Sequence, residues 1–415
     1  MTDGLGLGDA YGSTLDRIKR QGGEKAKLGM AAIMWISHSE RPLKANELCH
    51  ALAVEIGSPN LNTENVPSIG TVLACCQGLI VVEKETSRVR LIHFTLQEYL
   101  RAHPDIFNAA HSAMAETCLS YLNSQQVKAI STNTQHPPHF KHSPEYWAVA
   151  IPTTPFLEYS SLYWGVHAKR DLSDCAKQLA LTLFDDYNSH ISTEILLEAN
   201  YVYYFTEEKF SGFSGLHCAS FLGIIEIVAS LLEIEGCDVN QMDSTGSTPL
   251  HWAAWNGQEG VVRMLLERDD VNPDKPDYDG STPLWSAAYN GHEGVVKILL
   301  ERDDVNPNKV DKYGQSPLLS PAYDGHEGVA KILLAREDIN PDIPTNSSHT
   351  PLLWAAYNGH EEVVKLLLAR DDVDPNKVNK NGKTPLDLAT ENGHQGVITL
   401  LQPPRSATPS RSLPG

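Results

Sequence analysis

Basic residues are scarce in this chain. Lys and Arg total 33 against 52 Asp and Glu, a formal charge of −19 over 415 residues. A surface of that sign repels the phosphates of nucleic acids and anionic membranes. Long apolar runs are missing too. Met1 to Gln21 has no apolar core, so no signal peptide is read there, and the best run, Leu28–Ile36, is too short to span a bilayer. An intracellular location follows as the expectation, cytoplasmic with the nucleus left open. The seven cysteines show no metal-type spacing, so buried, reduced thiols are expected.

The motifs of catalysis are also missing. No Gly-x4-Gly-Lys-Ser/Thr occurs, and Gly4-Leu5-Gly6-Leu7-Gly8 fits neither a P-loop nor a dinucleotide fingerprint. Gly212-Phe213-Ser214-Gly215 is not a Gly-x-Ser-x-Gly elbow. His292-Glu293, His326-Glu327 and His360-Glu361 open like a zinc-protease motif, but Val296, Ala330 and Val364 stand where the second ligand belongs. His136, His139 and His142 recur every third residue, yet Pro137-Pro138 makes that stretch a loop. Asp269-Asp270, Asp303-Asp304 and Asp371-Asp372 end helices and read as solvated. No enzyme, metal, nucleotide or other cofactor is expected.

A periodic ladder fills the second half instead. Thr248-Pro249-Leu250, Thr282-Pro283-Leu284, Ser316-Pro317-Leu318, Thr350-Pro351-Leu352 and Thr384-Pro385-Leu386 follow one another at 34 residues, with a degenerate Ser214-Gly215-Leu216 one period earlier. Gly223 to Gly393 and Leu231 to Leu401 keep the same beat. In each unit a Ser/Thr caps a helix whose first residue is Pro. Gly257 and its equivalents end that helix, and a second, Val/Leu-rich helix follows. Such a unit is stable only when stacked on copies of itself. Thr248-Pro249-Leu250-His251-Trp252-Ala253-Ala254 and the recurring Asn-Gly-His at 290–292 and 358–360 resemble the ankyrin repeat. Irregularities are expected in repeat four, where Pro321 lies past the free first turn. The tip entering repeat five should also differ, since Ser348 replaces Gly246, Gly280, Gly314 and Gly382. Polar residues make the last repeat a cap.

The rest divides as follows. Residues 1–24 read as a polar segment with one short helical stretch (Ser13–Ile18), residues 25–103 as a winged helix, 104–206 as a helical linker region, 207–402 as about six repeats, and 403–415 as a disordered tail. The fold class is mostly α, with one β-hairpin. In 25–103, helices at Leu28–Ser37, Ala45–Val54 and Ile69–Cys76 precede strands Leu79–Val82 and Val89–Ile92. A fourth helix begins near Thr95, with Thr95 and Glu98 as a capping box. The third helix would read DNA, but Asn65 to Gln77 holds no Lys or Arg. Tyr201, Tyr203, Tyr204, Phe205, Phe210 and Phe213 are expected to seal the start of the stack.

Arg41-Pro42-Leu43, Glu47-Leu48, Cys75-Cys76-Gln77-Gly78-Leu79 and His93-Phe94-Thr95-Leu96-Gln97-Glu98-Tyr99 resemble the winged-helix segment after the NACHT domain of fungal STAND proteins. The segment labelled after GPI inositol-deacylases is similar. Cys118 to Leu122 and Tyr163 to Ala168 extend the resemblance, and ankyrin repeats are a frequent C-terminal sensor in that family. The resemblance implies the regulatory, sensor part of a signalling switch whose motor domain would precede Met1, with 1–24 as its remnant. A winged-helix transcription or chromatin adaptor is the alternative.

One candidate site remains. Trp255, Tyr289, Tyr323 and Tyr357 share a repeat position that the resemblance places in a concave groove, and Glu391 ends the column. They are read either as a protein-binding strip or as rings packed between repeats. Tyr278, Lys312, Tyr313, Asn346 and Lys380 at the hairpin tips are secondary candidates. Residues 207–400 carry about 31 acids against 15 bases, so a protein partner with a neutral or basic surface is expected.

Overall fold

The computed structural model describes residues 6–130, 154–185, 187, 190–200 and 212–402. The chain forms two compact units, Met1–Gly215 and Leu216–Gly415. His136, His139, His142, the aromatics from Tyr201 to Phe210, and the 403–415 tail lie outside the described residues.

The first unit starts earlier than expected. Leu7–Arg20 is a regular helix that buries Tyr11, Leu15 and Ile18, not a loose segment with one short turn. The physical reason is spacing: Leu7, Tyr11, Leu15 and Ile18 fall on one helical stripe, which the early glycines disguise. A second helix, Gly23–His38, crosses it at Gly29. A Cβ on Gly29 would stand 2.7 Å from the Cys75 carbonyl and 2.9 Å from Ile18 Cγ2, so the close approach requires glycine there. Helices Ala45–Ala53 and Ile69–Cys75 follow, then the antiparallel strands Ile80–Val82 and Val89–Leu91 in the register Ile80↔Leu91, Val82↔Val89.

The fourth helix of the winged segment is Phe94–Ala102. Its cap is His93, whose ring accepts from the Thr95 amide, so the expected Thr95–Glu98 capping box does not form. Thr95 Oγ1 is engaged elsewhere, 2.7 Å from Tyr11 Oη. The Arg-Pro-Leu-x3-Glu run has a local cause. Arg41 makes two 2.8 Å bonds to Glu47, which is 2% exposed and also accepts from the Lys44 amide at the helix start.

Helices Ala110–Leu122, Leu157–Arg170, Asp174–Phe184 and Ile191–Asn200 complete the unit. Trp35 packs edge-on against Phe156 and Tyr159 at 5.4 and 5.8 Å. Packing therefore crosses the expected boundary at residue 103, and the two segments share one apolar core. Phe213 is fully buried in this unit beside Tyr187. Of the cysteines, Cys49, Cys75, Cys76, Cys118 and Cys218 are buried as expected, whereas Cys175 is exposed and Cys237 half-buried.

The second unit is a stack of six helix pairs. The inner helices are Gly215–Leu222, Pro249–Trp255, Pro283–Tyr289, Leu319–Asp324, Pro351–Asn358 and Pro385–Glu391. The outer helices are Ile225–Leu232, Glu259–Leu266, Glu293–Leu300, Glu327–Leu334, Glu361–Leu368 and Gln395–Leu401. Thr248, Thr282, Thr350 and Thr384 each accept from the amide three residues on. Both helices of each pair supply the core: Leu284, Ala287 and Ala288 are buried from an inner helix and Val295, Val296, Ile298 and Leu299 from the outer one, the larger side chains contributing about 1.5–3 kcal/mol each.

Polar ladders join successive repeats. The His after each Asn-Gly or Asp-Gly turn donates to the aromatic position one repeat earlier: His292 to Trp255 O at 2.9 Å, His326 to Tyr289 O at 3.2 Å, His360 to Tyr323 O at 2.8 Å and His394 to Tyr357 O at 2.9 Å. Gln258 does the same to Phe221 O. The glycine before each His leaves room for the next ring: a Cβ on Gly291, at φ 73°, would lie 3.0 Å from His326. On the other side, Arg302, Arg336 and Arg370 cap the preceding outer helix at Leu266, Leu300 and Leu334 O. Each arginine is held by a fork from its own Asp304, Asp338 or Asp372. That hydrogen bond holds the three carboxyls below their usual range.

Two expected irregularities resolve differently. Repeat four does change. Its inner helix starts only at Leu319, and Ser316 Oγ is buried without a hydrogen-bond partner among the described residues. Ser316 is thus no cap. Pro321 has no N–H to close the first turn, which tightens instead through Leu319 N to Ser316 O. The tip entering repeat five changes in its side chains, with Thr345 in place of the aspartate, but not in its backbone turn. Ser348 adopts φ 59°, in the region its glycine counterparts use, and its amide reaches Thr345 O at 2.8 Å as Gly280 reaches Asp277 O at 3.0 Å. A serine is held in a glycine conformation, and the strain stays local.

Candidate binding face of the repeat array

The aromatic column sits in the last turn of the inner helices and breaks into two groups. Trp255 and Tyr289 stack at 5.5 Å and 20°, and Trp285 stacks on Tyr289 at 5.0 Å and 17°. These three rings are half-buried and cover one another's faces. Beyond the seam between repeats three and four the pattern changes. Tyr323 meets Trp354 at 4.9 Å and 77°, and Trp354 meets Tyr357 at 5.7 Å and 89°. Tyr323 and Tyr357 are 46% and 41% exposed. The first group has the geometry of packing; the second presents ring surface to solvent.

Three residues of this face were not among the sequence candidates: Trp285, Trp354 and Asp324. Trp285 stands in the column of His251, and Trp354 in that of Trp252. The signal was departure from a column rather than adherence to one. Trp252 is buried and donates to Asp243 Oδ2 at 2.8 Å. Trp354 has Thr345 in place of that aspartate and is half-exposed, stacked on His349 at 4.7 Å. Asp324 falls where the other repeats have Asn256, Asn290, Asn358 and Asn392. It is exposed and has no ion-pair partner among the described residues. Burial nonetheless lifts its carboxyl above the usual range, opposed by His326 and His360.

Two of the five hairpin-tip candidates, Lys312 and Asn346, are engaged by neighbouring groups. Lys312 is ion-paired with Asp279 and lies 5.0 Å over the Tyr313 ring. The Asn346 amide side chain donates to Lys312 O, tying one tip to the next. Tyr278 and Tyr313 are 68% and 53% exposed, and Lys380 is exposed. Behind the tips, Asp277 Oδ1 accepts from the amides of Asp279 and Ser281. Burial, with Asp279 and Asp311 nearby, raises its pKa to about 6. His251 is buried between Thr248 and Ser281 O, and burial pushes its pKa down to about 4.

Among the described residues no three His, Cys, Asp or Glu side chains are placed to hold a metal. The histidines that open like a zinc-protease motif are rungs of the inter-repeat ladder. No described helix is long and apolar enough to cross a membrane.

A family model described as ankyrin repeats in three copies matches residues 180–277, 269–345 and 337–410, more than half of the chain. The chain is an ankyrin-repeat protein. The matched span begins earlier than the repeat boundary read from the sequence. A model described as the GPI inositol-deacylase winged helix domain matches residues 16–113 of this ankyrin-repeat protein. Among solved structures it is similar to the ankyrin repeat protein EF0377, at 24% identity and a TM-score of 0.42 over 45% of this chain and 95% of that one. It is also similar to an ankyrin repeat domain from Acinetobacter baumannii, at 26% identity and a TM-score of 0.41 over the same shares. No curated protein matches the chain.

Proposed function

We propose that this ankyrin-repeat protein is a non-catalytic interaction module that recognises a protein partner on the inner-helix face of the array. The observation that carries this reading is the open group Tyr323, Trp354 and Tyr357. Tyr323 and Tyr357 are exposed, Trp354 between them is half-exposed, and the polar ladders use only the backbone carbonyls of Tyr323 and Tyr357. Trp255 and Tyr289 flank the face, and Tyr278, Tyr313 and Lys380 border it at the tips.

The larger setting we infer is the regulatory or sensor part of a STAND-type signalling protein acting inside the cell. It is supported by the order of the parts, a winged helix of the matched type followed by repeats. The winged helix as a DNA reader is less favoured. The exposed face of Ile69–Cys75 is Gly70, Thr71 and Ala74, with no cation, and Arg90 in the wing is paired with Glu83.

The test compares binding faces. Proteins retained on the immobilised wild-type chain should be lost from a Tyr323→Ala/Tyr357→Ala variant and kept by Lys331→Ala on an outer helix. Equal retention by the double tyrosine variant would sink the assignment of the face.

A further inference from the structure

The open aromatic group and the lone carboxylate beside it can be read together. Tyr323 and Asp324 are consecutive at the end of one inner helix, and Trp354 and Tyr357 lie in the next. Helix C-termini carry the negative end of the peptide dipole, so this edge already favours a cation. Aromatic faces add a quadrupole of the same preference. Asp324 adds a full charge that no Lys or Arg among the described residues offsets. Other acids beside helix ends of the array are answered, Asp270, Asp304, Asp338 and Asp372 by arginines and Glu391 by Lys383.

The stacked group in repeats two and three lacks both features. Its rings cover one another, and Asn256 and Asn290, in the Asp324 column, each donate to a carbonyl of their own helix. In repeat five Asn358 instead donates across to Tyr323 O at 3.0 Å. That bond and the His360 bond to the same carbonyl fix the Tyr323 turn against repeat five.

We infer that Tyr323, Trp354, Tyr357 and Asp324 form a site for the guanidinium of an arginine presented by a basic, extended segment of the partner. Charge complementarity favours this occupant: the array carries about twice as many acids as bases, and a planar, weakly hydrated cation stacks on rings better than an ammonium. The inference rests on reading the inner-helix face as a binding surface and specifies its chemistry.

The test uses the full chain and a Gly-Ser peptide carrying arginines at alternating positions, followed by the indole N–H resonances of Trp354 and Trp255. The Trp354 signal is assigned with Trp354→Phe. The arginine peptide should shift Trp354 and leave Trp255 in place, and the same peptide with glutamines should shift neither. Asp324→Asn should weaken binding about tenfold, the loss of one charge-assisted contact. That variant places at 324 the residue found in four neighbouring repeats, so its fold is preserved. Tyr323→Ala/Tyr357→Ala should abolish the shift. No shift of Trp354 by the arginine peptide, or unchanged affinity in Asp324→Asn, would overturn the site. If the glutamine peptide shifts Trp354 equally, the face still binds peptides and only the arginine specificity falls.

Discussion

In repeats two and three, Thr248 and Thr282 close their helices and the rings of Trp255, Trp285 and Tyr289 lie parallel against one another. In repeats four and five the same period runs through less regular ground. Ser316 does not cap, Pro321 shortens the inner helix, and Ser348 is held at φ 59°. Ile343 stands where Lys275, Lys309 and Lys377 reach carbonyls of the preceding repeat. Asp324 replaces an asparagine, and the aromatic rings open. Departures from local rules collect where ring surface is exposed. This is the pattern expected when selection for binding competes with selection for stacking.

Acidification should separate the two regions most. His251 has a folded pKa of about 4 against 6.5. Its contribution is full above pH 6.5 and is lost as pH falls toward 4, on the order of 3 kcal/mol. Asp277 works in the opposite sense. Its pKa rises from 3.8 to about 6, so its charged form weighs against folding above pH 6, and that penalty disappears as pH falls toward 4. Repeats four and five have Leu319 and Leu353 in the His251 column. Asp277→Asn, which places the residue of Asn379 at that tip, removes the offset. Thermal melts from pH 7 to 4 should then fall more steeply than in the wild type. A parallel pair of curves would contradict the opposition of the two groups.

Pro321→Ala should erase part of the difference at repeat four. The recovered first turn, less the added freedom of the unfolded chain, should stabilise the array by about 2 kcal/mol in urea unfolding. Capping should also divide the regions. Thr282→Ala should destabilise by about 1 kcal/mol, whereas Ser316→Ala, with no bond to lose, should leave the midpoint in place. Ser348→Gly should relieve the left-handed serine and stabilise by roughly 0.5–1 kcal/mol. A destabilising result would show that the serine side chain, not the turn, holds that tip.

Much of this was legible beforehand, for a definite reason. A strict period repeats the same turn and apolar face through six repeats and the same Thr cap in four of them, so each position is read against its copies. The ladder of triplets, the ending glycines and the outer-helix leucines all lie where the period places them. Single-copy features were harder. The helix Leu7–Arg20 hides its stripe among glycines, and its packing on Gly29 is a long-range contact that no local pattern announces. His93 caps a helix because Thr95 is drawn to Tyr11, again a partner distant in sequence. The candidate face was half legible. The column of aromatics could be read, but its division could not, because ring geometry depends on Trp285 and Trp354 in other columns and on the shortened helix at Pro321.

The most direct measurement sets two double variants side by side, Trp255→Ala/Tyr289→Ala and Tyr323→Ala/Tyr357→Ala, and records thermal stability together with binding of the arginine peptide. The first pair should lower stability by about 2–3 kcal/mol, since it removes stacked, half-buried rings, while binding persists. The second should lose binding and change stability by less than about 1 kcal/mol. If the exposed pair proves the more destabilising, and peptide binding survives its removal, repeats four and five are built for stacking after all.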